Sequence, residues 1–322
     1  MAQEPRIGLV LGAGGVIGGA WHAGALAALE RVTGWSPATA SHLVGTSAGS
    51  VFAALTAAGV HSQEMLAPID GMLEALGQES AYRHPTRLPG VLPGSLGLTL
   101  TSLRSLDRGQ LLKAVSGLMP RGLVSTAPIR RTVKRVVPSG WAGHPHCWIV
   151  CCDYVSGRRI VFGRSGAPPA HLADAVAASC AIPGFFRPVA VAGRLCMDGG
   201  LHSLNNLDVL VGQGLDLVIC LSPMSARFSV PGWGPGHLLG EAIRRAAAHQ
   251  VDHEVAQLTR AGTKVLVIEP TAYDLEIMGH NFMETRYLDA VTFLAQRSVA
   301  RQLADRQALP LLRLLRPARR SA

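Results

Sequence analysis

The hexapeptide Gly45-Thr46-Ser47-Ala48-Gly49-Ser50 constrains this chain more than any other stretch. It reads G-x-S-x-G between a short apolar run, His42-Leu43-Val44, and an alanine-rich segment, Ala48 to Ala58. A serine at a sharp strand-to-helix turn has a strained backbone and an exposed hydroxyl. Gly45 and Gly49 lack a Cβ, so the chain can close tightly on both sides of Ser47. The following segment is rich in helix formers, and Gly59 suits the helix C-terminus. The pattern predicts strand, elbow and helix, with Ser47 as candidate nucleophile. A plain glycine-serine loop fits the same residues, so the rest of the chain must supply a base and an oxyanion site.

A second glycine-rich turn lies upstream. Ile7 to Leu11 is an apolar run suited to a central parallel strand, and Gly12-Ala13-Gly14-Gly15 follows it. A helix is expected from about Ile17 to Arg31. Residues 7–29 contain no Asp, Glu, Lys or Arg, a length that could span a membrane. Gly12, Gly14, Gly15, Gly18 and Gly19 divide it, however, and no basic start or cleavage site marks a signal peptide. Strand, loop and buried helix is the better reading, in a soluble or membrane-peripheral protein of the cytoplasm. The loop itself has three readings. One is a dinucleotide site with Glu30 as the ribose acid, although the third glycine is displaced to Gly18. Another is an oxyanion hole formed by the amides of Gly14, Gly15 and Val16. The third is a turn needed only for packing.

Downstream, Met197-Asp198-Gly199-Gly200 follows the apolar segment Val189 to Leu195. Asp198 is free of neighbouring side-chain bulk and could take a proton from a serine hydroxyl. Asp-Gly is also a common β-turn.

Strands are further expected at Cys147 to Cys152 and Arg159 to Phe162, joined as a hairpin through Val155-Ser156-Gly157, and at Leu215 to Leu221 and Lys264 to Ile268. Helices are expected at Leu172 to Ser179, Leu238 to Arg260 and Arg286 to Ala304. This alternation predicts a three-layer α/β/α sandwich with a mostly parallel sheet. One domain is expected over residues 6–305. Its Pro- and Gly-rich stretch 59–125 reads as a lid or acyl-facing insertion, and residues 306–322 as a basic tail.

The net charge is +9, and Lys113, Lys134 and Lys264 are the only lysines. Such a balance favours anionic partners. No interleaved basic and aromatic pattern supports nucleic acid. The six cysteines, Cys147, Cys151, Cys152, Cys180, Cys196 and Cys220, lack zinc spacing and read as small apolar residues in a reducing compartment. No metal or cofactor is expected.

Taken together, Leu9 to Ala20, the Gly45–Gly49 elbow, Ala178 to Phe186 and Asp198-Gly199-Gly200 resemble the patatin-like phospholipase family over roughly residues 6–222. The resemblance implies a lipid acyl-ester hydrolase with a serine–aspartate dyad. Ser47 would attack, Asp198 would act directly as base, and the glycine-loop amides would hold the oxyanion. Its substrate would be a phospholipid, lysophospholipid or neutral lipid ester. Two residues depart from the family's usual G-G-G-x-R/K-G loop: Ala13, and Ile17 where a basic residue is usual. A nucleotide-binding oxidoreductase and a catalytically silent lipid-binding or regulatory protein are the rivals. A histidine base is a further alternative, with His202 the nearest in sequence and His237, His249, His253 and His280 beyond it.

Overall fold

The structure is a computed structural model that describes residues 4–66, 95, 98, 99 and 121–315. Most of the expected acyl-facing insertion lies outside the described residues, as does the tail beyond 315.

Strand β1 (Ile7–Leu11) leads into helix α1 (Gly15–Thr33), and β2 (His42–Thr46) leads through Ser47 into α2 (Ala48–Ala57). Helix α3 (Ala127–Val136) precedes β3 (Cys147–Asp153) and β4 (Arg159–Phe162). Helix α4 (Leu172–Ser179), β5 (Val189–Val191) and β6 (Arg194–Asp198) follow. The chain then forms β7 (Leu217–Leu221), α5 (Pro235–Arg260), β8 (Lys264–Ile268), α6 (Ala272–Met278), α7 (Leu288–Leu303) and α8 (Leu309–Leu312).

Among the described residues eight strands form one sheet, in the order β5-β6-β3-β2-β1-β7-β8 with β4 also on β3. The run β3-β2-β1-β7-β8 is parallel, while β4, β5 and β6 pair antiparallel. The central strands are buried on both faces, and their side chains alternate between two cores. Leu9 and Leu11 enter the core made with α1, α2, α4 and α7; Val10 enters the one made with α5 and residues 207–210. The mixed, mostly parallel sheet covered by helices is the three-layer arrangement expected from the alternation of elements.

Several details differ from the sequence reading. The apolar segment Val189 to Leu195 is not one run but a hairpin. Ala192 and Gly193 both have positive φ (50° and 73°), as a tight two-residue turn requires. Helix α1 begins at Gly15 rather than Ile17, and α5 begins at Pro235, a residue pre-set for a first helical turn. Helices α3 and α6 have no counterpart among the expected elements. The stretch after residue 305 is not simply a solvated end: Ala308, Leu312 and Leu315 are buried against the main core.

The register around β3 positions the site. Ile149 and Val150 pair with β2 on one side and β4 on the other. Cys151 and Cys152 pair with β4 and with β6. A strand has two edges, so β2 and β6 share the edge opposite β4. Strand β2 runs parallel to β3 and β6 antiparallel, so their C-terminal ends meet head to head.

Candidate active site

Ser47 follows β2 and caps α2 with φ 52° and ψ −126°, a conformation L-residues rarely adopt. Its surroundings hold it there. The Ser47 amide donates to Ser179 Oγ at 2.9 Å, and Ser179 Oγ donates to the Val150 carbonyl at 2.6 Å. The Ser47 carbonyl accepts from the Ser50 amide (2.8 Å) and hydroxyl (2.6 Å) and from Cys180 Sγ (3.2 Å). Both flanking glycines are required by contact. A Cβ on Gly45 would stand 2.5 Å from Ser50 Cα, and one on Gly49 would stand 2.1 Å from the Leu11 carbonyl oxygen. The elbow is therefore pressed directly onto the end of β1.

Asp198 ends β6 and is buried. Its amide donates to the Ala181 carbonyl at 3.0 Å, and its Oδ1 accepts from the Gly200 amide at 2.7 Å. Burial raises its pKa to about 6, against the lowering influence of the Ser47 hydroxyl and the Gly200 amide. Ser47 and Asp198 stand at adjoining strand ends, Ser47 just past Thr46 opposite Val150 and Asp198 opposite Cys151. No hydrogen bond of regular geometry joins them, and Oδ2 has no partner among the described residues. A Cβ on Gly199 would stand 2.4 Å from the Val150 carbonyl oxygen, and one on Gly200 would meet Asp198 Oδ1 at 3.0 Å.

The glycine loop lies against both. The Gly12 amide donates to Leu221, Ala13 to Leu204, Ile17 to Phe282 and Gly18 to Gly14. The amides of Gly14, Gly15 and Val16 have no acceptor among the described residues, so the start of α1 retains unsatisfied donors. Gly15 has φ +62°, and a Cβ there would stand 2.4 Å from the Phe282 carbonyl oxygen. Only glycine meets both conditions. His22, fully buried in α1, places Nε2 2.7 Å from the Gly12 carbonyl oxygen. Burial lowers its pKa to about 4, so at neutral pH it is uncharged and donates through Nε2–H.

One loop, residues 199–206, ties the parts together. Its Leu204 carbonyl receives the Ala13 amide at 2.7 Å, while Asn206 Nδ2 donates to Thr46 Oγ1 at 3.1 Å. Asn206 has φ 56°, and the following Leu207 amide is fixed by buried Glu254 at 2.9 Å. Burial raises Glu254 to about pKa 7.

Residue by residue, the structure brings Ser47, Asp198 and the expected glycines together. His202 lies within the 199–206 loop, where its carbonyl accepts from Gln250 at 3.0 Å. His237 and His280 contact each other, and His253 contacts Gln257. Glu30 accepts the Ser62 hydroxyl at the far end of α1, about 22 Å from the glycine loop by helical rise. Ile17, where a basic residue is usual, is wholly buried in the core. A basic side chain instead approaches from α5. Arg244 is buried and donates to the carbonyls of Pro223 (3.0 Å) and Gly279 (3.1 Å). Pro223 in turn would be 3.0 Å from a Cβ on Gly14. Among the described residues no group of three or more His, Cys, Asp or Glu is placed to hold a metal ion. The six cysteines are all buried.

A three-layer α/β fold with an elbow serine beside a glycine-loop helix start defines the class, and sequence comparison fixes the family. The family model of patatin-like phospholipase matches residues 9–211, and the chain belongs to that family. Uncharacterized NTE family proteins of Mycobacterium bovis and Mycobacterium tuberculosis are 27% identical over 221 residues, covering 69% of this chain. The chain spans about half (50%) of the length of these curated relatives. The crystal structure of VipD from Legionella pneumophila is similar with a TM-score of 0.48 and 15% identity, covering 94% of this chain and 67% of that one.

Proposed function

We propose that this protein hydrolyses lipid acyl esters through Ser47 and Asp198 alone, with no histidine between them. The observation that carries the reading is the sheet register: β2 ends at Thr46 opposite Val150 and β6 at Asp198 opposite Cys151, so Ser47 and the buried Asp198 stand at adjoining strand ends. Asp198 accepts the Ser47 proton as Oγ attacks the ester carbonyl. The oxyanion takes hydrogen bonds from the amides of Gly14, Gly15 and Val16, at the positive end of α1. Asp198 then returns its proton to the departing alcohol, leaving an acyl-serine. Water attacks this ester while Asp198 again takes a proton, and the fatty acid leaves with the serine restored. A carboxyl with pKa about 6 suits both roles near neutral pH.

Apolar surroundings support a lipid substrate. Phe186, Met197 and Leu201 form a cluster with Leu98, which lies inside the expected insertion and is fully buried there. Ile182, Phe185 and Met283 pack against it half-buried. Met197 and Leu201 stand on either side of Asp198 in the chain, and this cluster would receive the acyl chain.

The test is hydrolysis of a short-chain p-nitrophenyl ester by wild type, Ser47→Ala, Asp198→Ala and His202→Ala, with fluorophosphonate labelling of Ser47. The first two variants should lose activity and the third should retain it. Wild type that neither labels nor hydrolyses would instead indicate a silent lipid-binding protein.

A further inference from the structure

Strand β7 ends on the same edge of the sheet as β1 and β2, since β1 pairs parallel with both. The chain leaving β7 therefore starts at the elbow end, where Pro223 packs on Gly14 and Gly18. It then carries large apolar side chains into solvent. Phe228 is 62% exposed, Trp233 100%, Leu238 68% and Leu239 63%. Single exposed apolar residues are ordinary, but a concentration of them marks a contact surface.

The Phe228 segment and the start of α5 are held together in space as well as in sequence. Ser229 Oγ and the Val230 amide bond to the Glu241 carboxyl at 2.6 and 3.0 Å, which lays the Phe228 segment along the first turns of α5. Leu238 precedes Glu241 by one helical turn on the same face. Trp233 stands just ahead of the helix between Gly232 and Gly234, the latter at φ +102°. His237 fills the space beside Gly232 and meets the His280 ring at 4.0 Å. The turn is thus fastened at two places while its aromatic tip projects.

Charged side chains beside this segment are drawn into ion pairs. Arg227 pairs with Asp252 and Glu269, and Arg245 with Glu241. The chain as a whole carries +9, which favours an anionic surface. We propose that residues 228–239 form a docking surface for an anionic lipid bilayer, with Trp233 as the inserted tip. Indole rings favour the interface between headgroups and acyl chains. Contact there would set the elbow end of the sheet against the membrane that holds its substrate. The inference rests on the lipid-ester reading of the site, but its test does not depend on catalysis.

Trp21, Trp35 and Trp148 are buried and Trp141 is half-buried, so Trp233 is the fully exposed indole. Vesicles of phosphatidylcholine with phosphatidylglycerol should shift its emission to the blue, and brominated acyl chains should quench it. Phosphatidylcholine alone should bind more weakly. A Phe228→Ser, Trp233→Ser, Leu238→Ser variant should partition into vesicles roughly tenfold or more weakly. It should hydrolyse the soluble short-chain ester at the wild-type rate. Trp233→Ser alone gives a second reading should the triple variant fold poorly. Wild-type vesicle binding by both variants would overturn the proposal. So would absence of the blue shift, or loss of a dimer as the sole effect of the substitutions, which would mark a face between copies. Ser47→Ala should still bind vesicles, so failure of the hydrolase reading and failure of the docking surface give different results.

Discussion

Thr46 and Asp198 occupy successive positions along one edge of β3, Thr46 opposite Val150 and Asp198 opposite Cys151. Two strands running in opposite directions end tip to tip, and the next residue after Thr46 is the elbow serine. The serine and the carboxyl are brought together by sheet register, before any loop contributes. Ser179 then locks the junction, bridging the Ser47 amide and the Val150 carbonyl.

Asp198 is buried with a pKa raised to about 6 from 3.8, so above pH 6 the folded protein carries an unfavourable charge. The folded state holds this proton more tightly than the unfolded chain, and stability is lost as pH rises through 6. Asp198→Asn keeps the acceptor for Gly200 and removes the charge. It should stabilise the protein by about 3 kcal/mol at pH 8 and about half of that at pH 5. Denaturant midpoints at the two pH values check this, and a difference that does not grow with pH would refute it.

Activity on a soluble ester should rise with pH through about 6, the value at which Asp198 ionises. A histidine base would give a limb in the same region, so position alone does not separate them. Temperature does: carboxyl pKa values move little on warming, whereas imidazole values fall. The limb should stay in place between cold and warm assays.

His22 holds the Gly12 carbonyl as a neutral donor, with its pKa lowered to about 4 by burial. His22→Phe should lower kcat on the soluble ester by roughly tenfold, with little change in KM, by loosening the loop that supplies the oxyanion donors. The same burial makes the fold acid-sensitive. The unfolded chain takes up the His22 proton first, so stability present above pH 6.5 is lost toward pH 4, by about 3 kcal/mol. The His22→Phe variant should lack this share of the acid dependence in thermal melts.

The glycines divide into two kinds. A Cβ on Gly49 would stand 2.1 Å from the Leu11 carbonyl oxygen, whereas one on Gly19 would meet only Phe52 Cε2 at 3.6 Å. Gly49→Ala should cost several kcal/mol or prevent folding, as backbone must move. Gly19→Ala, in the second turn of α1, should raise stability by about 0.5–1 kcal/mol through helix propensity. Equal effects in chemical denaturation would contradict the packing described.

Ser179→Ala leaves the Ser47 amide without its acceptor and the Val150 carbonyl without that donor. A loss of about 1–3 kcal/mol in stability is expected, with a fall in kcat as the elbow relaxes. Unchanged kcat would show that the positive φ of Ser47 is held without Ser179.

Much of this was legible in the chain itself. The elbow, the glycine loop and the parallel core strands follow from glycine placement and apolar runs, and Asp198 joined them through the resemblance. The β5–β6 hairpin was hidden because Ala192-Gly193 is a weak turn signal inside an apolar segment. Helix α3 was missed because Ile129 and Val133 are its only buried residues besides Pro128, too few for a visible stripe. Helix α6 did carry a signal: Thr271 and Asp274 form a capping box. Ser179 lies in the family-like stretch Ala178 to Phe186, but its role needs the register of β3 against β2 and cannot be read from one segment. The same holds for Asn206, Glu254 and Arg244, whose partners Thr46, Leu207, Pro223 and Gly279 lie 21 or more positions away in the chain.

The most direct measurement is kcat/KM of Asp198→Asn on a soluble short-chain ester at pH 8, beside His202→Ala and wild type. A serine–aspartate pair predicts a fall of roughly a thousandfold or more for Asp198→Asn, with His202→Ala within threefold of wild type. A folded Asp198→Asn that stays within threefold of wild type, while the histidine variant collapses, would contradict the account.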